Sequence, residues 1–307
     1  MQSAVEPKSD KLIPSVSARD SRFVNAALLG STLWQLEMND VNKRLGDLHF
    51  AQGNEGLWLR SYGGKYSLDY HIKDRAFTSQ NHFAAVQLGY DRTLDAHIRS
   101  GLAVSVVKGK AKLNQWAQNA QLVGVTGYTT YTPNEADYID VVAKVAQLQQ
   151  KIAGNRLALW GVAFSTEYGH KFTLSEHWFA TPNAELTLGY LQGGDVNIEG
   201  HHYQQRSNTH WSARAGVNLG YAYNMGNIML KASVQHEANN RLKLILDNGA
   251  NDAYQHSIDL SGTQLRLGLG GTHDLGHNTY VYYNIEKSAK GKLHLHWRTD
   301  IGLRYSF

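Results

Sequence analysis

The chain has 307 residues, 42% of them hydrophobic and only 18% charged, with Gly at 29, Tyr at 17, Trp at 7 and Pro at 4. It is too apolar for a disordered chain, while a mean hydropathy of −0.43 and the lack of any run of about 20 apolar residues exclude a helical span. The formal charge of +4 makes no case for nucleic acid, and the absence of cysteine removes disulfides, thiolate metal sites and cysteine nucleophiles. One membrane class tolerates such low hydropathy: the transmembrane β-barrel, whose strands show lipid on one side only.

Residues 1–22, through Ser17-Ala18-Arg19-Asp20-Ser21-Arg22, are polar and unpatterned and lack the apolar core of a signal peptide. They read as the front of a C-terminal piece of something larger, or as a segment added for expression. Residues 23–48 differ: no Pro, one Gly (Gly30) before Gly46, and Leu29, Leu33, Leu36 and Val41 roughly on one face. A helix of about 23 residues there would be about 35 Å long and match a bilayer. It is too polar to face lipid.

From Gly56 to Phe307 the texture changes to period two, and twelve strands are predicted, near 56–68, 82–94, 97–109, 120–131, 137–150, 155–171, 177–191, 210–223, 226–238, 260–273, 278–287 and 294–307. An even strand number suits a closed bacterial barrel. Tight turns are expected at 94–97, 132–135, 224–227 and 274–277, with longer polar loops at 69–81, 192–209 and 239–259. Sorting short turns to one end and long loops to the other is the pattern of periplasmic turns and extracellular loops. In the last strand, Leu295, Trp297, Ile301, Leu303, Tyr305 and Phe307 share one parity, and His294, His296, Arg298, Asp300, Gly302, Arg304 and Ser306 share the other. Trp178, Tyr190, Trp211 and Tyr223, near strand ends, fit interfacial girdles.

The same parity places charges inside. With Ala84, Val86, Leu88 and Tyr90 facing out, Gln87 and Asp91 face in; Asp140 and Lys144, then Glu167, then Asn183, Glu185 and Thr187, and finally Arg214 follow by the same rule. A polar lumen needs no function for its charges. A narrow lumen filled by a helix, however, confines its carboxylates and makes them available to act on that helix.

The stretch Trp34-Gln35-Leu36-Glu37-Met38-Asn39-Asp40-Val41-Asn42-Lys43-Arg44-Leu45-Gly46-Asp47-Leu48 resembles the linker-helix junction of type Va autotransporters. More narrowly, it is similar to the serine protease autotransporters of Enterobacteriaceae and their IgA-protease-like relatives. The likeness continues through Gln87-Leu88-Gly89-Tyr90-Asp91, Tyr138-Ile139-Asp140, Pro182-Asn183-Ala184-Glu185-Leu186, Asn284-Ile285-Glu286-Lys287-Ser288 and Arg304-Tyr305-Ser306-Phe307, covering about residues 23 to 307. It implies an all-β, twelve-stranded transmembrane antiparallel β-barrel with an N-terminal α-helix threaded through the lumen. Residues 1–22 would then be a linker, 23–48 the lumen helix with its junction, and 49–307 the outer-membrane translocator.

The resemblance also implies a monomer in outer-membrane lipid, its C-terminus on the periplasmic side, carrying a covalently linked passenger. Insertion by the barrel-assembly machinery would use Tyr305 and Phe307. In the serine protease branch, the Asn side chain at the junction attacks its own backbone carbonyl and breaks the next peptide bond. The matching pair is Asn39-Asp40, where other members carry Asn-Asn. Asp91, Asp140, Glu167 and Glu185 match the inward acids that orient the Asn, with Arg214 as charge partner. Such chemistry is a single turnover and needs no cofactor. Any serine protease activity would lie in the passenger.

The histidines that could suggest a metal are His201-His202, in a long loop, and His294 with His296, the latter pair expected to point inward. No HExxH spacing accompanies them, and no Gly-x-Ser-x-Gly nucleophile elbow occurs. Two rival readings stand beside self-cleavage: a passive, helix-plugged translocator, and a porin or adhesin barrel. The amphipathic segment before the first strand argues against the last.

Overall fold

A computed structural model describes residues 18–38, 40, 54–72, 75–113, 116–247 and 253–307. One helix, α1 (Ala18–Glu37), precedes the strands β1 (Glu55–Ile72), β2 (Arg75–Thr93), β3 (Ile98–Leu113), β4 (Trp116–Tyr131), β5 (Asp137–Ile152), β6 (Asn155–His170), β7 (Phe172–Thr173), β8 (Trp178–Leu191), β9 (Gly194–Ile198), β10 (His201–Gln205), β11 (Asn208–Tyr223), β12 (Gly226–Ala238), β13 (Arg241–Asp247), β14 (Ala253–Asp259), β15 (Gly262–Asp274), β16 (Thr279–Ala289) and β17 (Leu293–Ser306).

Twelve of these close a ring. The order runs β1-β2-β3-β4-β5-β6-β8-β11-β12-β15-β16-β17, and β17 pairs back onto β1, every neighbour antiparallel. All twelve predicted strands are present, because period-two alternation runs along most of the wall. The outward face carries Val86, Leu88, Val104, Val125, Val145, Val162, Leu186 and Leu188, all well exposed. Trp160, Tyr190, Trp211 and Trp297 edge this apolar band at one end; Tyr131, Tyr168, Trp178, Tyr221 and Tyr305 edge it at the other. From Trp178 to Tyr190 is roughly 40 Å along β8, which a tilt of about 40° shortens to roughly 30 Å of barrel height.

The loop sorting departs from expectation. β1 and β2 pair all the way to Ile72 and Arg75, so residues 69–72 and 75–81 of the expected loop are strand. At the same end β5 and β6 join through Ala153 and Gly154 alone, where the positive φ of Gly154 (87°) suits a tight hairpin. The described residues of the expected loops 192–209 and 239–259 also form strands: β9 pairs with β10, β13 with β14, and β10 with β13, making a separate four-stranded sheet. Its Ile198, Tyr203, Leu242, Leu244, Leu246 and Ile258 are buried in one cluster with the helix residues Phe23, Leu28, Leu29 and Leu33.

The parity of the last strand breaks once. Lys65 pairs with Trp297 but the next residue, Tyr66, pairs with Leu295, a bulge that leaves His296 unmatched. Leu295 is therefore buried rather than outward, while His296 is exposed and His294 partly so. Arg298, Asp300, Arg304 and Ser306 do face in, as parity predicts.

α1 begins earlier than its sequence pattern suggests and ends at Glu37; residues 41–48 of the expected helix lie outside the described residues. Asp20 in its first turn complements the helix dipole. From Phe23 to Glu37 the helix is buried, and its partners come from several separate strands of the ring. Thr32 Oγ1 bonds Tyr66 Oη of β1 at 2.9 Å, Trp34 lies against Gly161 of β6, and Leu29 and Leu33 lie against Gly109 of β3. Tyr203 of β10 donates to Asp20 in the first helical turn (2.8 Å), tying the four-stranded sheet to the helix, and Asn240, just before β13, donates to Gln35 in the last turn (3.1 Å).

Candidate functional site in the lumen

The last turn of α1 tightens: Met38 N donates to the Trp34 carbonyl at 3.0 Å and Asp40 N to the Glu37 carbonyl at 3.3 Å. A helix C-terminus leaves carbonyls without partners, and here the wall supplies a cation. Lys144 Nζ donates to the Glu37 carbonyl (2.8 Å) and carboxylate (3.2 Å), and Tyr62 Oη donates to the same carboxylate (2.8 Å). Lys144 and Glu37 are both fully buried.

Asp40 is buried in a four-charge cluster. Arg60 Nη1 donates to its carboxylate (2.9 Å) and its carbonyl (3.2 Å), and Arg298 Nη2 pairs with its other carboxylate oxygen. Both arginines also engage Asp300, Arg298 at 2.9 Å. The Tyr62 ring centroid lies 4.6 Å from each guanidinium carbon, adding cation–π attraction. Two arginines thus balance two aspartates, with no excess charge among these four. Asn39 itself lies outside the described residues.

A second cluster crosses four strands in register: Asp140 opposite Glu167, Glu167 opposite Glu185, and Glu185 opposite Arg214. Facing carboxylates repel, and Arg214 offsets this by donating to both Glu167 (2.5 Å) and Glu185 (2.7 Å), with a further bond to Asn183 (3.0 Å). Tyr138 donates to Glu167 (2.8 Å), Thr187 to Glu185 (3.1 Å) and Thr130 to Asp140 (2.6 Å). Glu167, Glu185 and Arg214 open onto a polar cavity of about 100 Å³, shared with Lys231, Arg266 and Glu286.

Asp91 stands apart. Arg304 Nη1 donates to it at 2.5 Å and Tyr128 Oη at 3.2 Å, and Tyr128 in turn accepts from Trp58 Nε1 at 2.8 Å. Its register partner is Gly56, near the turn end of the barrel. The structure therefore brings Asp140, Glu167, Glu185 and Arg214 together, and puts Asp40 and Asp91 in separate ion-pair clusters. Sequence reasoning singled out neither Arg60, Arg298 and Asp300 nor Glu37 and Tyr62. The signal lies in the sequence: last-strand parity places Arg298 and Asp300 inside, and the same rule on β1 puts Arg60 and Tyr62 beside them.

A family model described as "Autotransporter beta-domain" matches residues 57–286. The chain belongs to the autotransporter β-domain family. Pertactin autotransporter of Bordetella parapertussis is 28% identical over 98% of this chain and 35% of its own length. Serine protease EspC of Escherichia coli is 23% identical over 88% of this chain and 22% of its own. The chain thus spans about a third or less of these curated relatives. Among solved structures, the β-domain of the Bordetella autotransporter BrkA superposes with a TM-score of 0.63 at 21% identity, covering 83% of this chain and all of that one. The translocator domain of NalP from Neisseria meningitidis reaches 0.66 at 10% identity, covering 92% and 100%. These likenesses carry the fold, and family membership puts the autotransporter barrel in the outer membrane.

Proposed function

We propose that this chain is the translocator of a longer secreted protein, and that it releases its passenger by cyclisation of Asn39. The Asn39 side-chain nitrogen attacks the Asn39 backbone carbonyl carbon, losing a proton. A five-membered succinimide forms, the bond to Asp40 N breaks, and that nitrogen leaves as an amine after taking up a proton; water later opens the ring. An amide is a weak nucleophile, so positioning and proton transfer must carry the rate.

The observation that carries this reading is the grip on both sides of Asn39. Lys144 holds the Glu37 carbonyl, and Arg60 and Arg298 hold Asp40. Asp140, on the same inward face of β5 as Lys144, heads the register that runs through Glu167 and Glu185 to Arg214. In this reading those groups and Asp91 set the lumen field, and Asp140 is the carboxylate assigned to polarise the Asn amide. The barrel would sit with Phe307 on the periplasmic side, as a single chain, with exposed Tyr305 and Phe307 facing the assembly machinery.

The same grip favours a second reading, a translocator plugged permanently by its helix. Intact mass of the denatured chain after folding in detergent, beside Asn39→Ala, separates the two. Two fragments splitting after Asn39 in the parent and one unbroken chain in the variant are expected. An unbroken parent leaves the plugged translocator, and equal cutting in both assigns the break to an outside protease.

A further inference from the structure

The outer wall carries a pattern that the lumen chemistry does not use. Along β1, β2 and β3 the outward positions are apolar nearer the C-terminal end of the barrel, at Leu59, Val86, Val104 and Val106. They then turn basic, at Lys65, His82, Lys108 and Lys110. Register sets these side by side: Trp297 faces Lys65, Lys65 faces His82, and His82 faces Lys110, while Lys108 faces Ala84 one step below. The intervening Val107 and Gly109 point inward, so the lysines belong to the lipid-facing parity and not to the lumen.

Among the described residues, Lys65, Lys108 and Lys110 form no ion pair with a carboxylate. Asp69, the acid farther along the same face of β1, accepts a hydrogen bond from Thr78 at 2.7 Å. Lys108 and Lys110 stand two residues apart on one face of β3, and Lys65 lies two strands away across His82, so the row gathers three ammonium groups that anions from outside would offset. Its height says which anions. Lys108 lies two residues past Val106, roughly 7 Å along the strand, and a lysine stem can lay its ammonium in the headgroup layer. Trp297, in register with Lys65, marks that layer.

We propose that this row binds the phosphate groups of a phosphorylated glycolipid headgroup in the leaflet at the barrel end opposite Phe307. Clustered lysines are point-charge phosphate binders, and a phosphomonoester, with close to two negative charges, satisfies the row better than a singly charged phosphodiester. The leaflet, though not the binding chemistry, rests on the orientation proposed above.

The test titrates the folded chain in nonionic detergent with lipid A carrying both phosphates, with dephosphorylated lipid A and with phosphatidylglycerol, reading bound lipid by native mass spectrometry. Bisphosphorylated lipid A is expected to bind about tenfold tighter than either of the others, and Lys65→Gln/Lys108→Gln/Lys110→Gln to lose that advantage. Equal affinity for the three lipids, or undiminished lipid A binding by a triple variant that keeps heat-modifiable barrel mobility, overturns the proposal. Should the triple variant not fold, the lipid series on the parent chain decides alone. Orientation is read separately, by labelling Asn155→Cys in cells with an impermeant maleimide; absence of label there overturns the leaflet assignment and leaves the titration valid.

Discussion

Lys144 reaches from the middle of β5 to cap Glu37 twice, at the backbone carbonyl (2.8 Å) and at the carboxylate (3.2 Å). This one side chain couples the barrel wall to the end of the helix. Both charges are fully buried, so removing one strands the other, a change worth about 3–5 kcal/mol. Lys144→Met is therefore expected to loosen the helix end and raise single-channel conductance in planar bilayers. Lys144→Met/Glu37→Gln, which leaves neither charge unpaired, should recover most of the closed state. A single variant as closed as the parent would remove Lys144 as the coupling residue.

The cluster around Asp40 is balanced by two arginines and two aspartates, and the balance makes a directional prediction. Asp40→Asn leaves Arg60 and Arg298 sharing Asp300. The junction should then dock less firmly, with a loss of about 3–5 kcal/mol. Fragment appearance, followed by denatured mass, should slow in Asp40→Asn. It should partly recover in Asp40→Asn/Arg298→Met, where one surplus cation is gone. Equal rates in the parent and Asp40→Asn would show that the arginines do not position the scissile bond.

Trp34 fits the wall because Gly161 has no side chain. A Cβ at Gly161 would come within 2.7 Å of the Trp34 ring, and that ring is buried with no solvent to swing into. Gly161→Ala is expected to destabilise helix docking by about 1–3 kcal/mol through overpacking. Trp34→Leu in the same chain should relieve it. Thermal loss of heat-modifiable mobility, compared for the single and double variants, checks both halves.

The wall was legible in the sequence because lipid outside and polar groups inside force alternation. Asp91, Asp140, Glu167, Glu185 and Arg214 all came out inward for that reason. Their partners were not legible. Arg60 meets Asp300 only because β17 closes on β1, a contact between the two ends of the barrel sequence. The loop sheet was partly visible, since Leu242, Leu244 and Leu246 alternate within an otherwise polar stretch, but one short alternating run does not say what it packs on. Tyr203 and Phe23 of the helix supply that answer, with ring centroids 5.1 Å apart.

The bulge at His296 is where alternation misleads, and it yields the sharpest contrast between pattern and structure. Parity assigns Leu295 and Leu303 to the same lipid-facing row, so it predicts similar, small effects of truncating either. The structure separates them: Leu295 is fully buried among the lumen residues, whereas Leu303 is 49% exposed on the outer wall. A buried leucine cut to alanine loses its transfer energy and leaves a cavity, about 2–5 kcal/mol in all. At an outward position, detergent or lipid chains fill the space that the side chain vacates. Leu295→Ala should therefore lower the urea midpoint of the folded barrel markedly, and Leu303→Ala should lower it by much less. Equal shifts would mean that the extra residue is accommodated elsewhere and that Leu295 faces lipid after all.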